Sequence, residues 1–441
     1  MRHKCSVNSL LALLIFLALA TQAQPSASRY SEPFPVAKSK KGLQVEIVED
    51  ALALGVQHAA LNFDLCRLAN PTGSAGVSPA PGDTNSPSWT RDGKTFRFHR
   101  GYLEHMDQQI KALSSHGVVI YLIVLAYESG NPEVNRLMLH PAYSTNAPNK
   151  LGAFNSVTDD GRAWLQATLE FVAERWSRPD RAFGRVSGFM IGNEINSHWF
   201  WSNRGRASME EFADDYLQAV RLAHDSIRRQ SSWARVYLSL EHHWNIRYAD
   251  GTELQTFPAR PFLEYFARRA REQGDFDWNL AFHPYPENLF QPRFWNDKTA
   301  TTNADTPRIT FKNLEQLTTY LKRPEMLFNG SPRHLIFSEQ GFHTESGPEG
   351  ETLQAAAFCY AYKKVEALEG VDAFIYHRQV DNPNEGGLLL GLRGMKPSGD
   401  EARPKKRIYE CFRAADTPEW EQVFGFALPI VGLKQWPERG Q

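Results

Sequence analysis

Seven short runs, apolar on both faces and rich in β-branched and aromatic residues, alternate with amphipathic helical segments along most of this chain. They are AALNFDL (59–65), VVIYLIVLA (118–126), VSGFMIGNE (186–194), VYLSLEHHW (236–244), DWNLAFHPYP (277–286), HLIFSEQGF (334–342) and VDAFIYHRQVD (371–381). Runs of this kind need cover on both sides, and the intervening helices supply it: in MEEFADDYLQAVRLAHDSIRRQ, Phe212, Tyr216, Ala219 or Val220, Ala223 and Ile227 make one apolar stripe opposite a charged face. Two architectures satisfy the pattern, an open doubly wound sheet and a closed (β/α)8 barrel. Polar residues decide between them. They collect at the C-terminal end of nearly every run: Asn62 and Asp64, Glu128, Asn193 and Glu194, Glu241 with His242 and His243, His283 and Tyr285, Glu339 and Gln340, and His377, Arg378 and Asp381. An open sheet gathers its site at one switch point, whereas a barrel collects residues from all its strands. No GxGxxG turn follows an early run. The expected fold is therefore α/β, a (β/α)8 TIM barrel with long βα loops, its missing eighth strand assigned to GLQVEI (42–47).

No long linker interrupts the alternation, so residues 42–441 read as one domain. A Ser/Lys/Pro-rich stretch over 24–41 reads as a flexible lead. Residues 1–23 read as a signal peptide: Arg2, His3 and Lys4 precede an apolar run, Leu10 to Ala20, too short to span a bilayer. The protein is thus expected to be secreted or periplasmic, with no membrane contact after signal removal. Lys and Arg number 49 against 50 for Asp and Glu, so no overall field draws the chain to nucleic acid, and a neutral partner is expected. Aromatic residues, with 11 Trp and 15 Tyr, suit sugar stacking as well as core packing. Cys66, Cys359 and Cys411 cannot all pair and have no zinc-site spacing, so buried free thiols are expected. Segments outside the repeat, 71–89 with the TFRFH that follows, 128–154, 292–308 and NEGGLLLGLRG, each follow a strand and would build the rim of a barrel site.

Glu194 and Glu339 each end an apolar run, so each would stand where a barrel opens. Two carboxylates brought to one pocket by different strands are what cleavage of a glycosidic bond requires, one donating a proton and the other acting as nucleophile or base. A carboxyl partly withdrawn from water keeps its proton to higher pH, which suits the donor. Other chemistries lack their signatures: the early runs carry no His-x-His for a metal hydrolase, and no GxSxG is present. No metal or cofactor is implied. A carbohydrate-binding barrel without turnover is the alternative from another class.

RVSGFMIGNEIN, after a helix ending in ERW, resembles the acid/base strand of clan A glycoside hydrolases, and HLIFSEQGF resembles the nucleophile strand. The resemblance spans about residues 42–415 and points to a poorly characterised bacterial branch of such barrels. It implies Glu194 as acid/base and Glu339 as nucleophile at the ends of the fourth and seventh strands, a register that a missing N-terminal strand supplies. It also implies a retaining mechanism, a hydrogen bond from Asn193 to the sugar hydroxyl beside the reacting carbon, and one from Tyr285 to the nucleophile. His283 is assigned either to substrate contact or to a supporting hydrogen bond. His243 and Trp244 are candidates for reaching the pocket, with His242 and His243 directed oppositely by strand alternation. Trp199 and Trp201 are sugar platforms or packing for the next helix. Asn62, Asp64, His377 and Arg378 are substrate contacts or internal polar pairs. The last strand departs from the clan pattern, with Tyr376, His377 and Arg378 where a Trp is usual, and its cations suggest an acidic or sulfated sugar.

Overall fold

The computed structural model describes residues 29–71, 86–395 and 403–438. The signal-peptide segment 1–23 and residues 24–28 of the lead lie outside them. Eight parallel strands close a barrel: β1 (Lys41–Gln44), β2 (His58–Asp64), β3 (Val119–Leu125), β4 (Gly188–Ile191), β5 (Arg235–Glu241), β6 (Trp278–His283), β7 (Leu335–Gln340) and β8 (Ala373–Tyr376), with β1 pairing both β2 and β8. The fold is a (β/α)8 barrel. Its first strand is shorter than the run 42–47 suggested, because the N–H groups of Glu46 and Ile47 both donate to Gln379 Oε1 (2.8 Å each) and leave the ladder for the helix Val48–Ala53.

Alternation along the strands divides the apolar residues in two. One set, including Leu61, Phe63, Phe189, Leu238, Phe282 and Phe337, packs outward against the helices. The other, Ala60, Tyr121, Ile123, Met190, Tyr237, Ala281, Ile336 and Ile375 among them, fills the barrel as a solid core. Gly188 makes room for this filling: a Cβ there would stand 2.3 Å from the Tyr121 ring, which meets Tyr237 edge-on at 5.8 Å. The helix Met209–Gln230 begins with a reciprocal cap between Ser208 and Glu211, buries the whole stripe read from its sequence, and donates from Tyr216 Oη to Ile191 O at 2.5 Å. That bond fixes the end of β4, just ahead of Glu194.

The lead corrects an expectation. From Arg29 onward it is not a loose tether but the barrel floor. Tyr30 N donates to Gln230 O (2.9 Å), Arg185 Nη2 donates to Pro33 O (2.6 Å), and Arg235 lies 3.6 Å over the Phe34 ring, which with Ala37 packs on the inner core. Two arginines and one aromatic anchor outweigh a composition that reads as linker. Of the rim segments, 72–85 lies outside the described residues, and TFRFH belongs to a hairpin (Ser88–Arg91 with Lys94–Arg97) laid on the helix Asp159–Arg175. Cys66, Cys359 and Cys411 are buried and unpaired. Among the described residues no helix is long and apolar enough to cross a membrane.

Candidate active site

Glu194 and Glu339 reach the C-terminal mouth of the barrel by different routes. Beyond β4 the chain turns through Gly192 (φ 87°) and holds Glu194 itself in the left-handed region (φ 40°), a costly conformation for a residue with a side chain. It is held there by its N–H, which donates to Ser239 Oγ on β5 at 3.1 Å. Glu339 lies within β7, where plain alternation from Ile336 would turn it toward the helices. A bulge prevents this: Phe337 pairs with Phe374 and Gln340 with Tyr376, so Ser338 and Glu339 together oppose the single residue Ile375. The extra residue re-aims Glu339 into the mouth, while Gln340 turns outward and donates to Ile375 O (2.6 Å).

A carboxylate oxygen of each glutamate and a ring nitrogen of His283 lie within 4.8 Å of one another. His283 Nδ1 is 2.9 Å from Glu194 Oε1, and its Nε2 is 3.4 Å from Ser239 Oγ. The ring therefore occupies one oxygen of Glu194 and leaves the other toward the cleft. Burial pushes the Glu194 carboxyl above its usual range; His283 pulls it back, while the nearby charges of Glu339 and Glu241 push it up again. Burial works against a charge on His283, but Glu339, Glu194 and Glu241 outweigh it and raise its pKa. Tyr285 Oη donates to Glu339 Oε1 at 3.3 Å, and burial with the Glu339 charge keeps that phenol protonated.

The neighbouring cluster of Glu241, His242 and His243 is built differently. Glu241 accepts from Asn196 Nδ2 (2.6 Å), Ser197 Oγ (3.0 Å), His243 N (2.9 Å) and His243 Nδ1 (2.6 Å). Burial would raise its pKa, but His243 first and His242 after it bring it down to about 2. Both clusters have metal-ligand composition. In the second, Glu241 is saturated by donors and His243 Nε2 is taken by Arg308 (3.3 Å); in the first, Glu194 and His283 are paired with each other.

The remaining candidates divide. Asn193 is half-buried beside Glu194, and Trp201 packs on the top of the inner core, at the base of the cleft. Trp199 is half-buried, its N–H bound to Gln255 O (3.1 Å). Asn62 is exposed inside the mouth and accepts from Gln44 Nε2 (3.0 Å), whereas Asp64 is buried and accepts from the Cys66 and Tyr127 N–H groups. Asp64 thus fixes the backbone rather than facing the cleft. Trp244 is also corrected: it falls on the outward face, 2% exposed, and meets Tyr320 edge-on at 5.0 Å in the helix layer. His243 points to the mouth side but is committed to Glu241 and Arg308, and His283 is buried against Glu194.

His377 and Arg378 are not free cations. Glu385 Oε1 lies 2.9 Å from His377 Nε2 and accepts from Arg378 Nη1 (2.7 Å), while Arg378 Nη2 reaches Glu46 at 2.9 Å and His377 Nδ1 contacts Gln44. These carboxylates offset the positive charge that suggested an acidic sugar. Two tyrosines escaped the sequence reading. Tyr127, 37% exposed after β3, stands near Asp64 and Glu339, and burial followed by those charges raises its pKa. Tyr248, half-buried in the loop after β5, stands near Glu194 and Glu241, its phenol pushed up to about 12 by burial and by Asp250. Only their places immediately downstream of two runs could have flagged them.

Residues 33–439 match a family described as "Family of unknown function (DUF5722)". No curated protein matches the chain. Among solved structures, the barrel superposes on glycoside hydrolases and glucosidases. A family 39 glycoside hydrolase from the gut symbiont Bacteroides cellulosilyticus WH2 gives a TM-score of 0.53 at 13% identity over 85% of this chain and 62% of that one, so the chain spans about six-tenths of that enzyme's length. A hyperthermophilic β-glucosidase from Pyrococcus furiosus gives 0.55 at 17% identity over 87% and 86%, and a glucosidase from Croceicoccus marinus gives 0.52 at 14% over 91% and 70%. At these identities the likeness establishes the barrel fold.

Proposed function

Taking as premise that the chain belongs to the DUF5722 family, we propose that it is an exported glycoside hydrolase that cleaves a β-linked oligo- or polysaccharide with retention of configuration. The observation that carries the reading is the pairing of Glu194 and Glu339, with carboxylate oxygens within 4.8 Å across the barrel mouth and each in a different environment. Retaining enzymes place the two carboxyl groups about 5–5.5 Å apart, against about 6.5–9.5 Å for inverting ones.

In the first step Glu339, oriented by Tyr285, attacks the anomeric carbon as the bond to the leaving oxygen breaks. The bond's electron pair goes to that oxygen, which takes the proton from Glu194. Burial shifts the Glu194 pKa upward, toward holding that proton, and His283 lies against its Oε1. In the second step Glu194, now ionised, removes a proton from water; the resulting hydroxide attacks the same carbon and expels Glu339. In this reading Asn193 binds the hydroxyl next to the reacting carbon. With Arg378 and His377 offset by Glu385 and Glu46, a neutral sugar is favoured over an acidic one.

The test is release of reducing sugar from neutral, uronic and sulfated polysaccharides by wild type, Glu194→Gln and Glu339→Gln, with folding followed by circular dichroism. Activity on a neutral glycan, lost in both folded variants, is the expected result. Activity that survives both changes removes the mechanism, and sugar binding without turnover by wild type replaces it with the carbohydrate-binding reading.

A further inference from the structure

The hydrolase reading fixes which end of the substrate lies where. The proton donor must stand beside the leaving oxygen, so the departing portion lies on the Glu194 side and the sugar that is attacked lies over Glu339. The two sides of the cleft differ in chemistry. Beside Glu339 stand groups that bind hydroxyls: Tyr285, which donates to it, and Tyr127, near enough to feel its charge. Beside Glu194 stands an aromatic corner made by the loop after β5 and the short helix His198–Trp201. There the Tyr248 ring meets Phe200 edge-on at 5.1 Å and His243 at 5.4 Å. Its hydroxyl donates to Asp250 Oδ2 at 3.1 Å. His243 is in turn locked by Glu241 and Arg308. The ring is only half-buried and its orientation is set before any ligand arrives, which lowers the entropic cost of stacking.

We propose that Tyr248, backed by Phe200, is the platform for the leaving-group sugar, and that the polar wall of Tyr285 and Tyr127 receives the sugar that is transferred. This rests on the hydrolase reading and adds the direction in which the substrate lies. A flat aromatic ring on the leaving-group side recognises the apolar face of a pyranose without reading its hydroxyls. The enzyme is therefore selective for the transferred sugar and tolerant of what it is attached to.

The experiment compares β-glycosyl fluorides of glucose, galactose, mannose and xylose with the matching 4-nitrophenyl β-glycosides, for wild type, Tyr248→Ala and Tyr248→Phe. Fluoride leaves without touching the platform, whereas the aryl ring occupies it. The expected result is that Tyr248→Ala lowers the ratio of kcat/KM for aryl glycoside over fluoride roughly 10- to 100-fold, and that Tyr248→Phe, which keeps the ring, restores most of it. An equal loss on both substrates, or no loss on either, overturns the assignment while leaving the hydrolase reading intact. Failure of wild type to turn over the fluorides, the aryl glycosides and the neutral polysaccharides alike overturns the hydrolase reading and this assignment with it.

Discussion

Two glutamate–histidine pairs stand on adjoining strand ends of this barrel, and they behave oppositely. Glu194 meets His283 at 2.9 Å and Glu241 meets His243 at 2.6 Å, both largely removed from water. Glu241 is given four donors and is held ionised, its pKa near 2; Glu194 has one partner on its side chain, faces the charge of Glu339, and is pushed toward holding a proton. Burial acts on both in the same direction, so the number of donors and the sign of the nearest charge decide the outcome. Glu241 is the framework against which the loop carrying Asn196 and Ser197 is fixed. Glu194 begins that loop and is left with a single side-chain partner, which fits the proton exchange proposed for it.

The same isosteric change should therefore have opposite consequences at the two sites, and this is the largest effect expected. Glu194→Gln should reduce kcat by about 10³-fold or more while leaving the melting temperature unchanged or slightly higher. The second half follows from sign: a buried carboxyl whose pKa is raised destabilises the fold once pH exceeds its ordinary value, and Gln removes that penalty. Glu241→Gln removes the charge from a saturated buried pair and should cost on the order of 3 kcal/mol of stability. Chemical denaturation and single-turnover kinetics on both variants check the contrast. A destabilised Glu194→Gln or a fully stable Glu241→Gln would break it.

Acid sharpens the comparison further. Glu241 has its folded pKa depressed from 4.5 to about 2, so its contribution is complete above about pH 4.5 and disappears as pH falls through 2. The difference in stability between wild type and Glu241→Gln should therefore shrink across that window, by roughly 3 kcal/mol in total, and denaturant midpoints at stepped pH would show it. In the Glu194 pair the histidine can be probed through catalysis. His283 pulls the Glu194 pKa down, so His283→Phe should let the acid hold its proton to higher pH and shift the alkaline limb of the kcat/KM profile upward, even as kcat falls. A downward shift would mean that His283 serves chiefly to keep Glu194 protonated.

What could be read in the sequence follows a physical boundary. The barrel was legible because burial on both faces leaves a continuous apolar run, and the strand-end glutamates stand out against such runs. Geometry set by neighbours was not. Nothing in LIFSEQ announces that two residues will oppose Ile375, yet that bulge is what turns Glu339 inward. Trp244, two residues beyond His242 by alternation, went to the helix layer because a space beside Tyr320 takes it. His377 and Arg378 looked like free cations only because Glu46 and Glu385 are distant in sequence. The lead over 29–40 looked loose because its partners, Arg185 ahead of β4 and Arg235 at the start of β5, lie far along the chain.

The smallest expected effect tests how the Glu194 pair is held. Ser239 Oγ accepts the Glu194 N–H at 3.1 Å and lies 3.4 Å from His283 Nε2, so one hydroxyl on β5 serves both members. It also compensates a backbone that sits at φ 40° without a glycine. Glu241 needs no such device, since it lies in a regular strand and its donors come from Asn196 and Ser197 of the adjacent loop and from His243 just beyond it. Ser239→Ala should cost about 1 kcal/mol in stability and several-fold in kcat, with KM nearly unchanged, because the acid is displaced while the binding walls stay in place. Cysteine at this position, a weaker acceptor of similar shape, should recover part of the loss. If Ser239→Ala leaves kcat intact, the left-handed conformation of Glu194 is held by the packing of Ile195 and the following turn rather than by this hydrogen bond.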